Sequence, residues 1–271
     1  MRIYIPSLER ADRRVLEGPA PQISGLHEVI YVVPRSQIKQ YITALMYYRV
    51  RARVIVCDEV GIAATRRWIG EHARLQNVSK FLMADDDIQF LVRKADDTWQ
   101  LRKAEKNDTD EMLSWIDATL DVHVHVGVSA REGNNTAGIG DHNKLVSFNT
   151  RTIRALAYRT DAFLSVEHER VPVMEDFDVN LQLLRRGGSN VATYFWAQGQ
   201  RMTNEVGGCS TYRSHEVHEA SAKRLAELHP LLVSLCTKVN KTDREGFGTR
   251  TEVTIQWKRA WMEGQKSAPT P

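Results

Sequence analysis

Three consecutive carboxylates, Asp85, Asp86 and Asp87, directly follow the apolar segment FLMA at residues 81–84. Neighbouring like charges repel each other and are difficult to desolvate together, so a bound cation would account for the cluster. Alternate side chains of a strand point to the same side, which places Asp85 beside Asp87. Mg²⁺ and Mn²⁺ prefer carboxylate oxygen and share their remaining positions with phosphate and water. The triplet therefore predicts a divalent-cation site for a diphosphate, and the alternative is a solvated acidic turn.

The elements that precede the triplet place it at one edge of a sheet. RIYIP, EVIYVVP and RVIVC are β-branched and predict strands, while SQIKQYITALMYYR and GIAATRRWIGEHARL predict helices. The first helix is expected to follow a Ser36 cap and to bury a face made of Ile38, Tyr41, Ile42, Leu45 and Met46. With KFLMADDD as the next strand, these βαβ units predict a parallel sheet that binds its ligand at the carboxyl ends of the strands.

The second half of the chain has a more mixed pattern. FLVRK and TWQLRK predict a hairpin that turns at residues 95–97, and a helix over 109–120 and the strand VHVHVGVS follow. The polar, glycine-rich stretch 131–143 predicts a long loop that faces the acceptor or gates the substrate. MEDFDVNLQLLRRGG has acids in its first turn and predicts a helix. The remaining predictions are the strand VATYFWAQG, a helix over 215–230, the strand TEVTIQWKRAW and a disordered tail.

The composition is that of a globular protein. The 271 residues are 42% hydrophobic and 26% charged, and the pattern contains neither a repeat nor a linker, so we expect one domain. The formal net charge of +3 excludes a polybasic tail protein but allows a basic groove over an acidic centre. There is no apolar run of about 18 residues, and the first residues predict a strand rather than a signal sequence, so we expect a cytoplasmic protein. Three cysteines without a CxxC pair predict reduced thiols and no zinc site: Cys57, Cys209 and Cys236.

The order of several short motifs resembles a known family. A βαβ half that ends in FLMADDD, followed by an acidic pair at a helix start, resembles the GT-A fold of glycosyltransferases. Within that fold, the order IPS-x-x-R, VVP, GIAATRRWI, ADDDI, VGVSAREGNN, Glu175-Asp176 and GGCSTYR is similar to the TET/JBP-associated glycosyltransferases, over roughly residues 1–215. The resemblance implies an α/β, GT-A-like domain with a Rossmann-type, mostly parallel central sheet over 1–262. Its nucleotide-sugar half would cover about 1–100 and its acceptor half about 101–262, with the disordered tail at 263–271.

The same resemblance implies a reaction and its setting. The protein would move a hexose from a nucleotide sugar such as UDP-glucose to 5-hydroxymethylcytosine or 5-hydroxymethyluracil in DNA, using Mn²⁺ or Mg²⁺. It would be encoded by a bacteriophage and would act in the cytoplasm of the bacterial host. Two rivals remain. One is a GT-A enzyme with a protein, glycan or small-molecule acceptor, and the other is an inactive nucleic-acid-binding module, which would gain nothing from acids that face DNA.

The family pattern also implies roles on the nucleotide-sugar side. Ser7 and Arg10, after the first strand, would contact the nucleotide; the alternative for them is a turn with a surface arginine. Either Arg66 or its neighbour Arg67 would contact the uracil or the phosphates. Asp87 would be the direct metal ligand, and Asp85, closer to the ribose, would be a second one. Asp85 and Asp86 would also contact the nucleotide sugar. A third metal ligand would come from a late histidine, of which His215 is the best placed, with His218 and His229 behind it. The alternative for a histidine at a helix start is a surface residue or a cap. His123 and His125 share a strand face and either bind a metal, line a polar cleft or face solvent.

On the acceptor side, the resemblance makes Asp176 the general base, with Glu175 beside it. The alternative for Asp176 is a carboxylate that only stabilises the start of its helix. The pyrimidine C5 substituent lies in the major groove, so the enzyme must reach in or flip the base. Basic and aromatic residues are then needed at the mouth of the pocket. The alternative for each candidate is an ordinary solvated face. The DNA-binding candidates are Arg131, Lys144, Arg151 and Lys258, with Arg154, Tyr158, Arg159, Trp257 and Arg259 as further choices.

Overall fold

A computed structural model describes residues 1–12, 14–94, 100–131, 145–200, 214–239 and 249–267. The predicted hairpin turn at 95–97, most of the predicted loop at 131–143, and Lys144 and Cys209 lie outside these residues. Within the described ranges, no helix is both long enough and apolar enough to span a membrane. Cys57 and Cys236 are free thiols, as predicted.

The first half of the chain forms the predicted parallel sheet. Strands β1 (Arg2–Pro6), β2 (Glu28–Val33), β3 (Arg53–Val56) and β4 (Lys80–Ala84) lie in the order β3-β2-β1-β4. The parallel pairings β1–β2, β1–β4 and β2–β3 align their carboxyl ends at one edge of the sheet. This edge is the place where open α/β sheets bind ligands.

Helices connect these four strands. A short helix, α1 (Arg14–Glu17), follows β1, and α2 (Ile38–Tyr47) and α3 (Ile62–Leu75) follow β2 and β3. In α2, Tyr41 and Leu45 of the predicted face are buried, whereas Ile42 and Met46 are exposed. A 3₁₀ turn replaces the expected Ser36 cap, and no side-chain hydrogen bond caps the start of α2. The apolar face of α2 is therefore narrower than its pattern predicts.

Parallel and antiparallel strands extend this sheet in the second half of the chain. The elements in chain order are β5 (Ile88–Arg93), β6 (Leu101–Lys103), α4 (Lys106–Thr119), β7 (His125–Ala130), β8 (Val146–Phe148), β9 (Ala155–Arg159), α5 (Thr160–Leu164), α6 (Glu175–Arg185) and β10 (Asn190–Gln200). The path of the sheet continues from β4 as β9-β7-β10-β5-β6, and β8 pairs with β10. Among the described strands of this sheet, only β5, β8 and β9 run against the direction of β1. The sheet is mixed but mostly parallel, and helices flank it.

Strand β9 is the main element that the sequence analysis did not identify. It is inserted between β4 and β7 and runs antiparallel to both. Four of its five residues are buried, so its sequence ALAYR shows no alternation of polar and apolar positions. A short apolar run of this kind cannot be assigned to a strand or a helix by its period. Its direction matters, because its amino end lies at the carboxyl edge of the parallel strands.

His125 is a core residue and not a cleft or surface histidine. It is fully buried, its Nδ1 lies 2.8 Å from the carbonyl of Ala157, and its Nε2 lies 2.6 Å from the Thr152 hydroxyl. The ring stacks on Tyr158 with centroids 4.2 Å apart. Burial lowers the pKa of His125 to about 4, so the ring is neutral and both nitrogens have a partner. His123 lies outside the strand and contacts the Ser189 hydroxyl at 2.7 Å.

The carboxyl-terminal part differs most from the prediction. It consists of α7 (His215–Leu228), a two-stranded ribbon of β11 (Val233–Val239) and β12 (Thr249–Ile255), and α8 (Trp257–Ser267). The strand predicted at TEVTIQWKRAW ends at Ile255, and residues 263–267, expected in the disordered tail, continue α8. The helix continues through these residues because Gly264 allows it to pack against α6. A Cβ at this position would lie 2.2 Å from the Leu184 carbonyl oxygen of α6. The missing side chain lets α8 pack directly on α6.

Candidate active site

A cleft of about 730 Å³ opens at the carboxyl edge of the parallel strands. The segments after β1 and β4 enter it from one side, the residue before β9 enters beside them, and the starts of α3 and α6 complete it. Because β1 to β4 are parallel, residues far apart in the chain meet at this edge. Charged residues in the wall include Arg10, Arg66, Asp85, Asp86, Asp87, Arg151, Arg154, Glu175 and Asp176.

Asp86 is bound within the protein. Its carboxylate accepts hydrogen bonds from the Ser7 hydroxyl and, at 2.6 Å, from Arg10 Nη1. The Ser7 hydroxyl also lies 2.6 Å from the Tyr41 hydroxyl of α2. Burial raises the pKa of Asp86 although Arg10 opposes the shift. Ser7, Arg10 and Asp86 thus form a buried network that fixes the loop after β1 against the loop after β4.

Asp87 presents an oxygen that nothing in the described structure satisfies. Its Oδ2 accepts from Arg10 Nη1 at 3.1 Å and from Gln200 Nε2 at 2.9 Å. Its Oδ1 is buried and, in the part of the chain that is described, has no hydrogen-bond partner. Buried carboxylate oxygens usually have one, so this atom is a suitable ligand for a hard cation. Sequence reasoning missed Gln200, which no local pattern distinguishes from an ordinary strand end.

Asp85 faces the same cleft and is the second candidate ligand. Its side chain is 29% exposed, more than that of Asp87 at 8%. No group of three His, Cys, Asp or Glu side chains among the described residues is arranged to hold a metal ion. Mg²⁺-type sites often use one or two carboxylates together with substrate phosphates, so Asp85 and Asp87 fit a cation that also binds a diphosphate.

Arg66 joins the two acidic clusters. Its Nη2 donates to Asp85 Oδ1 at 2.9 Å, and its Nη1 donates to Glu175 Oε1. Burial raises the pKa of both carboxyls, and the charge of Arg66 opposes that shift in each case. Arg67 is not among the described residues that line the cleft, and it pairs with Glu59, Glu71 and Glu169. Of the two candidate arginines, Arg66 is therefore the one that faces the site.

Asp176 is the open carboxylate of the Glu175-Asp176 pair. Glu175 is buried and held by Arg66, whereas Asp176 is half-buried and lines the cleft. Asp176 Oδ1 accepts from the Phe177 backbone N–H at 3.0 Å, and no cation pairs with it within the described residues. Met174, just before the helix, is left-handed with φ 65°. Such strained residues often occur at functional sites.

The late histidines are placed differently from the sequence prediction. His215 begins α7, its Nε2 lies 3.3 Å from the Thr249 carbonyl, and it is not among the described residues that line the cleft. His218, one turn later, does line it. His229 is fully buried, and its Nε2 lies 2.7 Å from Asp178 Oδ1, so it is a structural partner of that acid.

The predicted DNA-binding residues are dispersed. Arg151 and Arg154 line the cleft, and Arg151 lies over the Phe177 ring at 5.0 Å. Arg131 follows β7 but, like Lys258 on α8, is not among the described lining residues. Arg159 lies at the far end of β9, opposite Lys80, and therefore at the other edge of the sheet.

The aromatic and carboxyl-terminal candidates also lie away from the mouth of the cleft. Tyr158 is buried in the core. Trp257 packs against Phe177 with ring centroids 5.7 Å apart, and Arg259 pairs with Glu263. Sequence reasoning also missed Lys238, Arg250 and Glu252 of the ribbon, which line the cleft.

The parallel amino half, the acidic edge at its carboxyl ends and the second acidic pair at a helix start are features of GT-A glycosyltransferases. Solved structures with this fold are similar to the chain. TarS of S. aureus, residues 1–349, is 13% identical with a TM-score of 0.50, over 83% of this chain and 65% of that chain. The mannosyltransferase PcManGT of Pyrobaculum calidifontis, in complex with GDP-Man and Mn²⁺, is 12% identical with a TM-score of 0.50, over 83% and 61%. GalNAc-T7 with UDP, GalNAc and Mn²⁺ is 10% identical with a TM-score of 0.52, over 73% and 43%.

The family follows from the sequence itself. The model of the TET-associated glycosyltransferases matches residues 1–208, and the chain belongs to this family. The predicted family and the predicted α/β, GT-A-like fold are confirmed. The chain spans 65% and 61% of the lengths of TarS 1–349 and PcManGT. A search of curated protein sequences found no match.

Proposed function

We propose that the protein is a metal-dependent glycosyltransferase that moves a hexose, from UDP-glucose or a related nucleotide sugar, to a 5-hydroxymethylpyrimidine in DNA. One observation carries the proposal: a single cleft holds the unsatisfied Oδ1 of Asp87 and the open carboxylate of Asp176, and Arg66 lies between the two acidic clusters. Transfer of a sugar from a nucleoside diphosphate sugar needs a cation site for the diphosphate and a base for the acceptor hydroxyl side by side. Family membership supports the reaction class and the nature of the acceptor.

The donor side of the cleft would be built on the loops after β1 and β4. Asp87 and Asp85 would hold Mn²⁺ or Mg²⁺, and PcManGT and GalNAc-T7, which contain Mn²⁺, support that choice. When bound, the cation would neutralise charge on the diphosphate leaving group. Ser7, Arg10 and Asp86 would keep these loops in register, so that the ligand carboxylates need no reorganisation. Arg66 would place a further positive charge beside the leaving nucleotide.

The acceptor side would be built on the start of α6. Asp176 would accept the proton of the hydroxymethyl group as its oxygen attacks the anomeric carbon of the sugar. Glu175 would serve less directly, because its carboxylate already accepts from Arg66. Its contact with Arg66 would fix the first turn of α6 and thereby the position of Asp176.

A DNA acceptor would have to bring its base out of the stack into this cleft. The loss of stacking is a few kcal/mol, which contacts to the backbone and the flipped base would offset. Arg151 and Arg154 in the wall of the cleft are suited to such contacts. A phage DNA substrate would place the reaction in the cytoplasm of an infected bacterium.

The proposal is tested by incubating the protein with Mn²⁺, a panel of nucleotide sugars and DNA that contains 5-hydroxymethylcytosine or 5-hydroxymethyluracil. The DNA is then digested to nucleosides, and their masses are measured by mass spectrometry. The expected result is a hexose mass on one of them, dependent on the cation and absent with unmodified DNA. Donor turnover without any transfer to DNA would instead favour a protein, glycan or small-molecule acceptor.

A further inference from the structure

The carboxyl-terminal ribbon, strands β11 and β12, brings two cations into the wall of the cleft. Its antiparallel register places Lys238 directly opposite Arg250, and both residues line the cleft. Like charges that face each other across two strands destabilise the pairing. Lys238 is exposed and, within the described ranges, has no ion-pair partner. An anion bound between the two side chains would offset this repulsion.

Arg250 is held in place by a neighbouring acid. Its Nε forms an ion pair with Glu252 Oε1 at 2.7 Å, and the buried His218 approaches the same oxygen at 3.6 Å. Burial alone would raise the pKa of Glu252, but His218 and Arg250 lower it to about 2. The carboxylate therefore stays charged and orients Arg250, while the exposed Lys238 supplies a second positive charge opposite it.

We propose that Lys238 and Arg250 bind a backbone phosphate of the acceptor DNA at the mouth of the cleft. This inference rests on the proposed function. The exposure of Lys238 argues for DNA rather than the diphosphate of the donor. The arginines beside Asp85–Asp87, Arg10 and Arg66, are buried, whereas Lys238 is exposed. A two-stranded ribbon also has dimensions that fit against duplex DNA.

The ribbon lies outside the part of the chain that the family model matches, which ends at residue 208. The family match therefore does not account for the two cations. Arg151, which lines the same cleft, is a third cation close enough to the acceptor side to extend the contact along a DNA strand, since it lies over Phe177 next to Asp176.

The test compares Lys238→Glu with Lys266→Glu. Both variants change the net charge equally and alter an exposed lysine of the carboxyl-terminal part, but Lys266 is at the end of α8 and is not among the described lining residues. The dissociation constant for a 20-base-pair duplex with one 5-hydroxymethylcytosine is measured over a range of salt concentrations. Binding of UDP with Mn²⁺ is measured in parallel.

The expected result is that Lys238→Glu weakens duplex binding about tenfold at low salt and lowers the slope of log Kd against log salt by about 0.9, the value for one phosphate contact. Lys266→Glu should match the wild type, and all three proteins should bind UDP equally. Duplex binding by Lys238→Glu that equals that of Lys266→Glu overturns this inference alone. Weaker UDP binding with unchanged duplex binding assigns the cations to the donor and also overturns it. A wild type that binds no duplex overturns both this inference and the DNA acceptor.

Discussion

Arg66 of α3 and Glu175 of α6 form a buried ion pair across the base of the cleft. The same guanidinium donates to Asp85, so one side chain connects the acidic edge after β4 with the helix that carries Asp176. Although burial alone would lower the pKa of Arg66, the two carboxylates raise it, and the charge is retained. A residue with both contacts ties the position of the proposed donor site to that of the proposed acceptor site.

Replacing Arg66 should therefore affect both stability and transfer. Arg66→Ala leaves Asp85 and Glu175 without their cation, and loss of one partner of a buried pair costs about 3–5 kcal/mol. Arg66→Lys keeps the charge but cannot donate from a planar fork to two carboxylates, so transfer should fall while the fold survives. Chemical denaturation and the initial rate of transfer measure the two effects. The matched control is Arg67→Lys, which should behave as wild type; equal effects at both positions would contradict the assignment.

Asp87 should control the metal-dependent binding of the nucleotide. UDP should raise the melting temperature of the wild type only when Mg²⁺ or Mn²⁺ is present, because a ligand that binds the folded state stabilises it. Asp87→Ala should abolish that shift. Asp58→Ala, an exposed acid paired with Arg35, serves as the control and should retain it. An Asp87→Ala protein with an undiminished shift would rule out Asp87 as a metal ligand.

Replacing Asp176 with asparagine separates its two candidate roles, helix-start carboxylate and general base. Asp176→Asn retains the acceptor for the Phe177 N–H but cannot take up a proton near neutral pH. Transfer to DNA should fall by about two to four orders of magnitude, with the melting temperature and UDP binding unchanged. Asp161→Asn, in the first turn of α5, is the control for the loss of a helix-start charge. Near wild-type transfer by Asp176→Asn would move the search for the base to Glu175.

His125 should make the folded state sensitive to mild acid. Its pKa is about 4 in the folded protein and 6.5 in the unfolded chain, so below pH 6.5 only the unfolded chain takes up the proton. The free energy of unfolding should fall as the pH is lowered from 6.5 to 4, by up to about 3 kcal/mol from this residue. Urea denaturation over this pH range measures the effect. His125→Gln should flatten the profile, whereas His123→Gln should not; parallel profiles for His125→Gln and wild type would refute the assignment.

Local sequence patterns determined the elements that carry the candidate site. An apolar run followed by Asp85–Asp87 identifies a buried strand with acids at its end, and the structure has β4 end at Ala84. Glu175 and Asp176 open α6 as predicted, because acids in a first turn and arginines in a last turn are local signals. These patterns depend on neighbours within a few residues, so they can be read from the sequence without the fold.

Tertiary structure alone decided which of these side chains are available. Asp86 is bound by Ser7 and Arg10, so only its two neighbours remain open to a ligand, and Arg66 rather than Arg67 reaches the cleft. Gln200 contacts Asp87 across 113 positions of the chain. Such contacts arise when strands align at one edge of a sheet, and the periodicity of a single segment carries no information about the side chain that it will meet.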